Sequence, residues 1–444
     1  MSDWVLLEDR CDSREQIERA FKNKQALIVP SAAHGAFVRA FLPGADEHIE
    51  SSLHRQSLAR RLFFRMLHRA PRFDPNKPIP GEAVRSVLLF RYDAIGDYIV
   101  TTPLLRWLRS ALPHIHLTVL SSTRNDVLIG QDTFVDRHMP IDPRRGFHPS
   151  WFRAIHRLRG DYDVVLALVY TNMTKAAILA RAIAPRAEYI APWHRERSAL
   201  YGQVFHRQPQ YIRWKQHWAQ TLLEIARMII SPAVAVPGMS QQYVPLQPSA
   251  CETVWQWLKQ RELGTRLPTV PLHWARDSGG FELPMLSGTF YSVINLSAYS
   301  PDRCWAPEHA EGVLRELLCR QPEIALIVTA APHQWDHARR VVERLGHWRC
   351  HLFCGSIAEL VALIAGAASV ISPDTAVVHI AAALGKPVVG LYAAAIKLAE
   401  WYPFGVPFVG VLSPVEDGIS YVSPGSVVAA VTEWTQNSFA ECSR

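Results

Sequence analysis

The segment VISPDTAVVHIAAALGKPVVGLY, residues 370–392, constrains the fold more tightly than any other stretch. Val370 and Ile371 end an apolar run, and Ser372, Pro373, Asp374 and Thr375 make a polar turn. Ile380, Ala381, Ala383 and Leu384 then recur at helical spacing until Gly385 and Pro387 stop the helix, and Val388 to Leu391 start a second apolar run. Strand, helix and strand in this order read as a βαβ unit of a parallel sheet. A helix N-terminus carries about half a positive charge and several unpaired N–H groups, so the turn is a natural seat for phosphate. Thr375 and His379 lie four apart and share one face of the helix. Two readings are open: a nucleotide meets both side chains, or Asp374 caps a helix in which His379 is a core residue.

The same alternation runs through most of the chain. Strands are predicted at Val87 to Phe90, Leu117 to Leu120, Val164 to Leu168, Tyr291 to Leu296, Ala325 to Thr329 and His351 to Phe353, with helices between them. At 444 residues and 49% hydrophobic, the chain can bury two cores. The pattern predicts two doubly wound α/β halves with a ligand cleft at their strand ends. Residues 1–80 read as an accessory region ending in the proline-rich linker FDPNKPIPGE. Residues 81–245 form the first α/β domain, 246–285 a crossing segment with a helix near Thr253 to Glu262, and 286–444 the second domain.

A net charge of +7 favours acidic partners. It is concentrated in HRQSLARRLFFRMLHRAPR, residues 54–72, where Leu58, Leu62, Met66 and Leu67 follow one helical face and Arg61, Arg65, Arg69 and Arg72 the other. Such a helix suits an anionic membrane surface, or packs on the protein with a solvated arginine face. Nucleic acid is not expected as a partner, since no helix-turn-helix, zinc-finger spacing or aromatic strand motif accompanies the arginines. No run approaches the roughly 20 apolar residues that cross a bilayer, and the opening MSDWVLLEDRCDSRE is too acidic for a secretory signal. Seven scattered cysteines suggest reduced thiols and a cytosolic setting. Cys350 and Cys354 stand near His347 and His351, but no second ligand pair occurs at zinc-site spacing, so no metal site is expected.

The first strand leads into RYDAIGD, residues 91–97, which lacks the G-x-G-x-x-G dinucleotide fingerprint. It offers Arg91, Asp93 and Asp97 instead. A carboxylate at the carboxyl end of a first parallel strand faces the crevice and can take a proton from an attacking hydroxyl. Asp97 follows Gly96, where the backbone is expected to turn sharply, and is the better placed of the two aspartates. Its alternative role is to cap the helix that starts there.

Three motifs together carry a resemblance. VLLFRYDAIGDYIVTTPLLRWLRSALP, residues 87–113, resembles the opening motif of glycosyltransferase family 9, the lipopolysaccharide heptosyltransferase family. VINLSAYSPDRCWAP, residues 293–307, resembles the family's strand, small-residue loop, basic residue and tryptophan, and residues 370–392 resemble its D-T-x-x-x-H signature. The resemblance implies a GT-B fold, two Rossmann-like domains facing a cleft, and inverting transfer without a catalytic metal or other cofactor. Its donor is typically ADP-heptose, bound by the C-terminal domain, and its acceptor is a lipopolysaccharide-core or related envelope glycan, reached at the inner face of the cytoplasmic membrane. The family's catalytic aspartate matches Asp97.

By the same resemblance Ser297, Ser300, Arg303, Asp374, Thr375, Ala376 and His379 are expected at the donor, with Gln334 or Asp336 reaching the ribose. Arg91, Asp93, Arg124 and Trp193 are expected at an acidic acceptor, arginine holding anionic groups and the aromatic face stacking on sugar. The chain departs from the family where Arg303 replaces a lysine, Ala330 a glycine, and Ala393 and Ala394 another glycine. These changes bear on the donor's identity more than on the reaction. The alternatives are an enzyme of this fold using another nucleotide sugar, epimerases included, and a non-catalytic nucleotide-sugar-binding protein.

Overall fold

The run SVLLF, residues 86–90, has no polar alternation, and all but its first residue are buried, as expected for a strand covered on both faces. In the computed structural model it is β1 (Ser86–Phe90), followed by β2 (His116–Ser122), β3 (Arg137–Ile141), β4 (Val164–Ala167) and β5 (Glu188–Ile190). The structure describes residues 4–6, 26–29, 58–74, 77–143, 148–169, 173–192, 198–209, 217–230, 234, 241–276, 278–300, 303–415 and 418–441. The chain divides into two units. One comprises Leu42–Arg213 and Trp218–Ser240, and the other Met1–Phe41, Trp214–His217 and Gln241–Arg444.

In the first unit the five parallel strands stand in the order β3-β2-β1-β4-β5. The chain moves outward from β1 to β3 and returns to the other side of β1. The switch point therefore lies between β1 and β4, and the loop after β1 opens there. The helix Ile95–Ala111 follows that loop and runs unbroken past Pro103. Proline deprives Ile99 of its usual N–H partner four residues on, and the Thr102 hydroxyl donates to that carbonyl instead, at 2.7 Å.

The basic segment forms a helix over Leu58–Leu67. Phe64 is fully buried and joins the core of this unit with Leu88, Phe90 and Tyr201, with Phe63 and Leu67 packed alongside. Burial of one such side chain contributes roughly 1.5–3 kcal/mol. Arg69 and Arg72, expected on the solvated face, are both engaged by the protein: Arg69 donates to the Pro185 carbonyl, and the exposed Arg72 pairs with Asp163 at 2.8 Å.

In the second unit β6 (Phe290–Asn295), β7 (Ile324–Thr329), β8 (Cys350–Phe353), β9 (Ser369–Pro373), β10 (Val388–Tyr392) and β11 (Phe408–Leu412) stand in the order β11-β10-β9-β6-β7-β8, all parallel. Its switch point lies between β6 and β9. Two short strands, Trp4–Leu6 and Ala26–Val29, extend the β11 edge, the latter antiparallel to it. Runs of three and four residues are too short for any periodicity to announce them. The strands β3, β5 and β11 were not predicted either; β3 (RHMPI) carries arginine, histidine and proline and reads as a loop. The helix expected near Thr253 to Glu262 spans Pro248–Lys259. Among the described residues no helix is long and apolar enough to cross a membrane.

Candidate active site

In the second unit the segments that follow β6, β7 and β9 converge at the switch point. Asn295 ends β6 and is 2% exposed. Its side-chain N–H groups donate to the Ser297 carbonyl at 3.0 Å, the Ser372 hydroxyl at 3.0 Å and Thr375 Oγ1 at 3.2 Å. Its Oδ1 accepts from the Ser297 N–H at 3.1 Å and the Ser297 hydroxyl at 2.8 Å. One amide thus ties the ends of β6 and β9 to the helix that follows β9. Ser297 in turn accepts the Ala331 N–H at 2.8 Å, which brings the loop after β7 to the same spot.

Thr375 is the N-cap of the helix Ala376–Ala383, and its hydroxyl accepts the Val377 N–H at 3.3 Å. Gly385 takes the left-handed conformation, φ 66°, just past the helix end, which is why glycine stands there. Arg303 Nη1 lies 4.0 Å from Asp374 Oδ2, so the basic residue of the β6 loop meets the turn before the helix. The guanidinium has five donors, more than one carboxylate at this distance can engage, and it is 40% exposed. A cation beside a helix N-terminus is a fitting environment for a diphosphate. The carbonyl of Ser300 accepts the Arg303 N–H at 3.0 Å and shapes the loop. The Trp305 ring, 2% exposed, anchors that loop in the core.

The other donor-side residues fall differently. Gln334 stands just before the helix Trp335–Leu345 and donates to Cys304 Sγ at 3.0 Å, which joins it to the Arg303 loop. Asp336 is 80% exposed and pairs with Arg339 at 2.9 Å along its own helix. His379 does not share an open face with Thr375. It is 3% exposed and meets Trp401 edge to face at 6.0 Å, and burial pushes its imidazole pKa down to about 4. Helical spacing fixes only that positions four apart are neighbours; the core packing of this helix decided that His379 faces inward.

In the first unit, Arg91 is fully buried rather than open to an acceptor. Its guanidinium donates through Nε to the Asp97 carbonyl at 2.8 Å, through Nη1 to Asp93 Oδ2 at 3.1 Å, and to the Leu168 carbonyl beyond β4. Arg91 spans the β1–β4 switch point and fixes the first turn of the helix. Ser122 and Asn125 brace the loop from β2: Ser122 donates to the Asp93 carbonyl at 3.0 Å, and Asn125 to the Arg91 carbonyl at 2.8 Å.

Asp97 Oδ2 accepts the Ala94 N–H at 3.0 Å, so Asp97 is a helix cap. Gly96 lies within the first helical turn, not at a sharp bend before it. A carboxylate has two oxygens and several lone pairs, so a capping bond does not by itself exclude a proton there. Burial pushes the Asp93 carboxyl well above the usual carboxylate range; Arg91 pulls it down and Asp97 adds to the rise. Arg124 is exposed on the neighbouring loop. Trp193 lies outside the described residues. Cys350, within the cysteine and histidine cluster, is buried in β8 with its thiol pushed up to about 12 by burial.

Asn295, Ser122, Asn125 and Cys304 were not singled out from the sequence. The signal for Asn295 was present: a polar side chain closing the buried run SVIN must find partners.

The comparisons agree with this architecture. The model of glycosyltransferase family 9 (heptosyltransferase) matches residues 151–413, a span that holds the Asn295–Thr375 cluster and leaves out the Asp97 loop. The chain is 23% identical over 319 residues to lipopolysaccharide heptosyltransferase 1 of Escherichia coli strain K12, covering 69% of this chain and 87% of that protein. It is 24% identical over 319 residues to lipopolysaccharide heptosyltransferase 3 of Escherichia coli, covering 70% and 83%. Among solved structures, E. coli heptosyltransferase WaaC with ADP matches with a TM-score of 0.58 at 20% identity, over 78% of this chain and 99% of that chain. The family 9 glycosyltransferase of Veillonella parvula DSM 2008 matches with a TM-score of 0.60 at 15% identity, over 79% and 96%. These likenesses show the two-domain GT-B fold.

Proposed function

We propose, from the premise that this chain belongs to glycosyltransferase family 9, that it moves heptose from ADP-heptose to a hydroxyl of a lipopolysaccharide-core or related envelope glycan. The observation that carries the donor side is the cluster in which Asn295 holds the Thr375 cap while Arg303 stands beside Asp374. The helix N-terminus and the guanidinium take the diphosphate, whose negative charge grows as the bond to the anomeric carbon breaks. Ser297, Ser300, Ala376 and Gln334 shape that seat.

Asp97 is the base. The acceptor oxygen attacks the anomeric carbon, its proton passes to the Asp97 carboxylate, and the nucleoside diphosphate leaves with inversion. Arg91 acts through Asp97 by fixing its turn, and Asp93 and Arg124 lie on the acceptor side. No step requires a metal. A lipid-borne acceptor would bring the protein to the inner face of the cytoplasmic membrane.

A calorimetric or thermal-shift screen of ADP, GDP, UDP and dTDP tests the donor. Preference for adenine is expected; preference for another base would remove ADP-heptose and favour a different nucleotide sugar. Nucleotide binding without transfer to any heptose acceptor would favour a binding protein.

A further inference from the structure

The helix Leu58–Leu67 has an inner face whose role is clear and an outer face whose side chains are exposed. Phe64 is 0% exposed, with its ring 5.5 Å from Tyr201, and Phe63 and Leu67 flank it. The chain just beyond the helix is fastened: His68 Nδ1 meets the Gln203 carbonyl at 2.8 Å, and His206 Nε2 meets the Arg69 carbonyl at 3.1 Å. With Arg72 paired to Asp163 at 2.8 Å, the helix is held in one rotation about its axis. It cannot roll to cover its other side.

That other side carries Leu62, 50% exposed, and Met66, 82% exposed, one turn apart. Arg61 and Arg65 are exposed beside them, and the helix sequence LARRLFFRML holds no acidic residue. Two large apolar tips between arginines suit the boundary of an anionic bilayer, where headgroups meet the guanidiniums and acyl chains meet the tips. A second copy of this face suits it poorly, since a two-fold contact would bring the arginines against themselves.

We propose that the outer face of helix Leu58–Leu67 is a docking surface for anionic lipid, with Leu62 and Met66 inserting and Arg61 and Arg65 binding headgroups. The surface accords with a lipid-borne acceptor but does not rest on that reading, because it stands on the geometry of this helix alone.

Sedimentation of the full chain with vesicles tests it in the absence of any nucleotide or acceptor. The protein is expected to bind vesicles of phosphatidylcholine mixed with phosphatidylglycerol, to release them at high salt, and to ignore phosphatidylcholine alone. Replacing Arg61→Gln and Arg65→Gln together should weaken binding by about fivefold per arginine. Leu62→Ser with Met66→Ser should weaken it by about tenfold or more. If the serine pair lowers the melting temperature, the glutamine pair decides alone. Equal binding to neutral vesicles, binding unchanged in the glutamine pair, or a wild-type dimer that Met66→Ser dissolves without vesicle binding would each overturn the proposal.

Discussion

The Asn295 side-chain amide donates to Thr375 Oγ1 at 3.2 Å, joining the end of one strand to the cap of a helix 80 residues later in the chain. The same amide holds Ser297 and Ser372, so a single buried side chain ties together the loops of the proposed donor seat. Asn295→Ala would leave the Ser297 N–H and the Thr375 and Ser372 hydroxyls without this partner, at a cost of about 1–3 kcal/mol. Chemical denaturation should show that loss, and calorimetry should show weaker nucleotide binding. A variant of wild-type affinity would mean that the cap is held by other contacts.

Asp97 caps a helix and is the proposed base, and two substitutions separate these roles. Asp97→Ala should remove transfer and also cost about 1 kcal/mol of stability through the lost cap. Asp97→Asn keeps an oxygen for the Ala94 N–H, so its stability should stay within a few tenths of a kcal/mol of wild type, while turnover falls by roughly 10²–10⁴. Full transfer by the asparagine variant would exclude Asp97 as the base.

Arg91 is buried among the Asp97 carbonyl, the Leu168 carbonyl and Asp93. Arg91→Met leaves the Asp93 carboxyl and both carbonyls without a cation, a change that costs roughly 3–5 kcal/mol when a buried pair is broken. Arg91→Lys keeps the charge but not the fork, and should recover only part of the melting temperature. If Arg91 positions Asp97, the lysine variant lowers kcat with little change in donor KM; a rise confined to donor KM would contradict that role.

Arg303 is partly exposed and makes one loose pair, so its loss should cost less than about 1 kcal/mol of stability. A charged hydrogen bond to phosphate is worth about 1.5–3 kcal/mol, so Arg303→Met should raise the donor KM by roughly 10- to 150-fold. Steady-state kinetics at varied nucleotide sugar, alongside a melting curve, would separate the two effects. A stable variant with unchanged KM would take Arg303 out of the donor seat.

His379 gives a pH dependence of definite sign. Its pKa is lowered by burial to about 4 in the fold, against 6.5 when unfolded. The unfolded chain therefore binds the extra proton first. Stability is full above pH 6.5 and falls as pH drops towards 4, by about 3 kcal/mol over the whole window. Denaturation at pH 7 and pH 5 should show the decline in the wild type and a shallower one in His379→Phe. Equal slopes would place the titration elsewhere.

How much of this was legible in the sequence varies with the kind of interaction. The strands β1, β2, β4, β6, β7 and β10 were read almost to their ends because apolar runs between helices mark parallel strands wherever the sheet is covered on both sides. The edge strand β3 was not, since a strand at the edge need not be apolar. The turn at Ser372 to Thr375 and the halt at Gly385 and Pro387 were likewise readable, as both depend on local backbone chemistry.

The direction in which a polar side chain faces was not readable. Arg91 was expected at the acceptor and is a buried brace; for His379 a place at a ligand beside Thr375 and a place in the core were both open, and it packs against Trp401. Local sequence fixed the periods of helix and strand, hence the α/β class and the order of its βαβ units. The strand order that brings Asn295 to Thr375 and Arg91 to Leu168 was decided by tertiary structure alone, because those contacts join segments distant along the chain and exist only once each sheet has closed around its switch point.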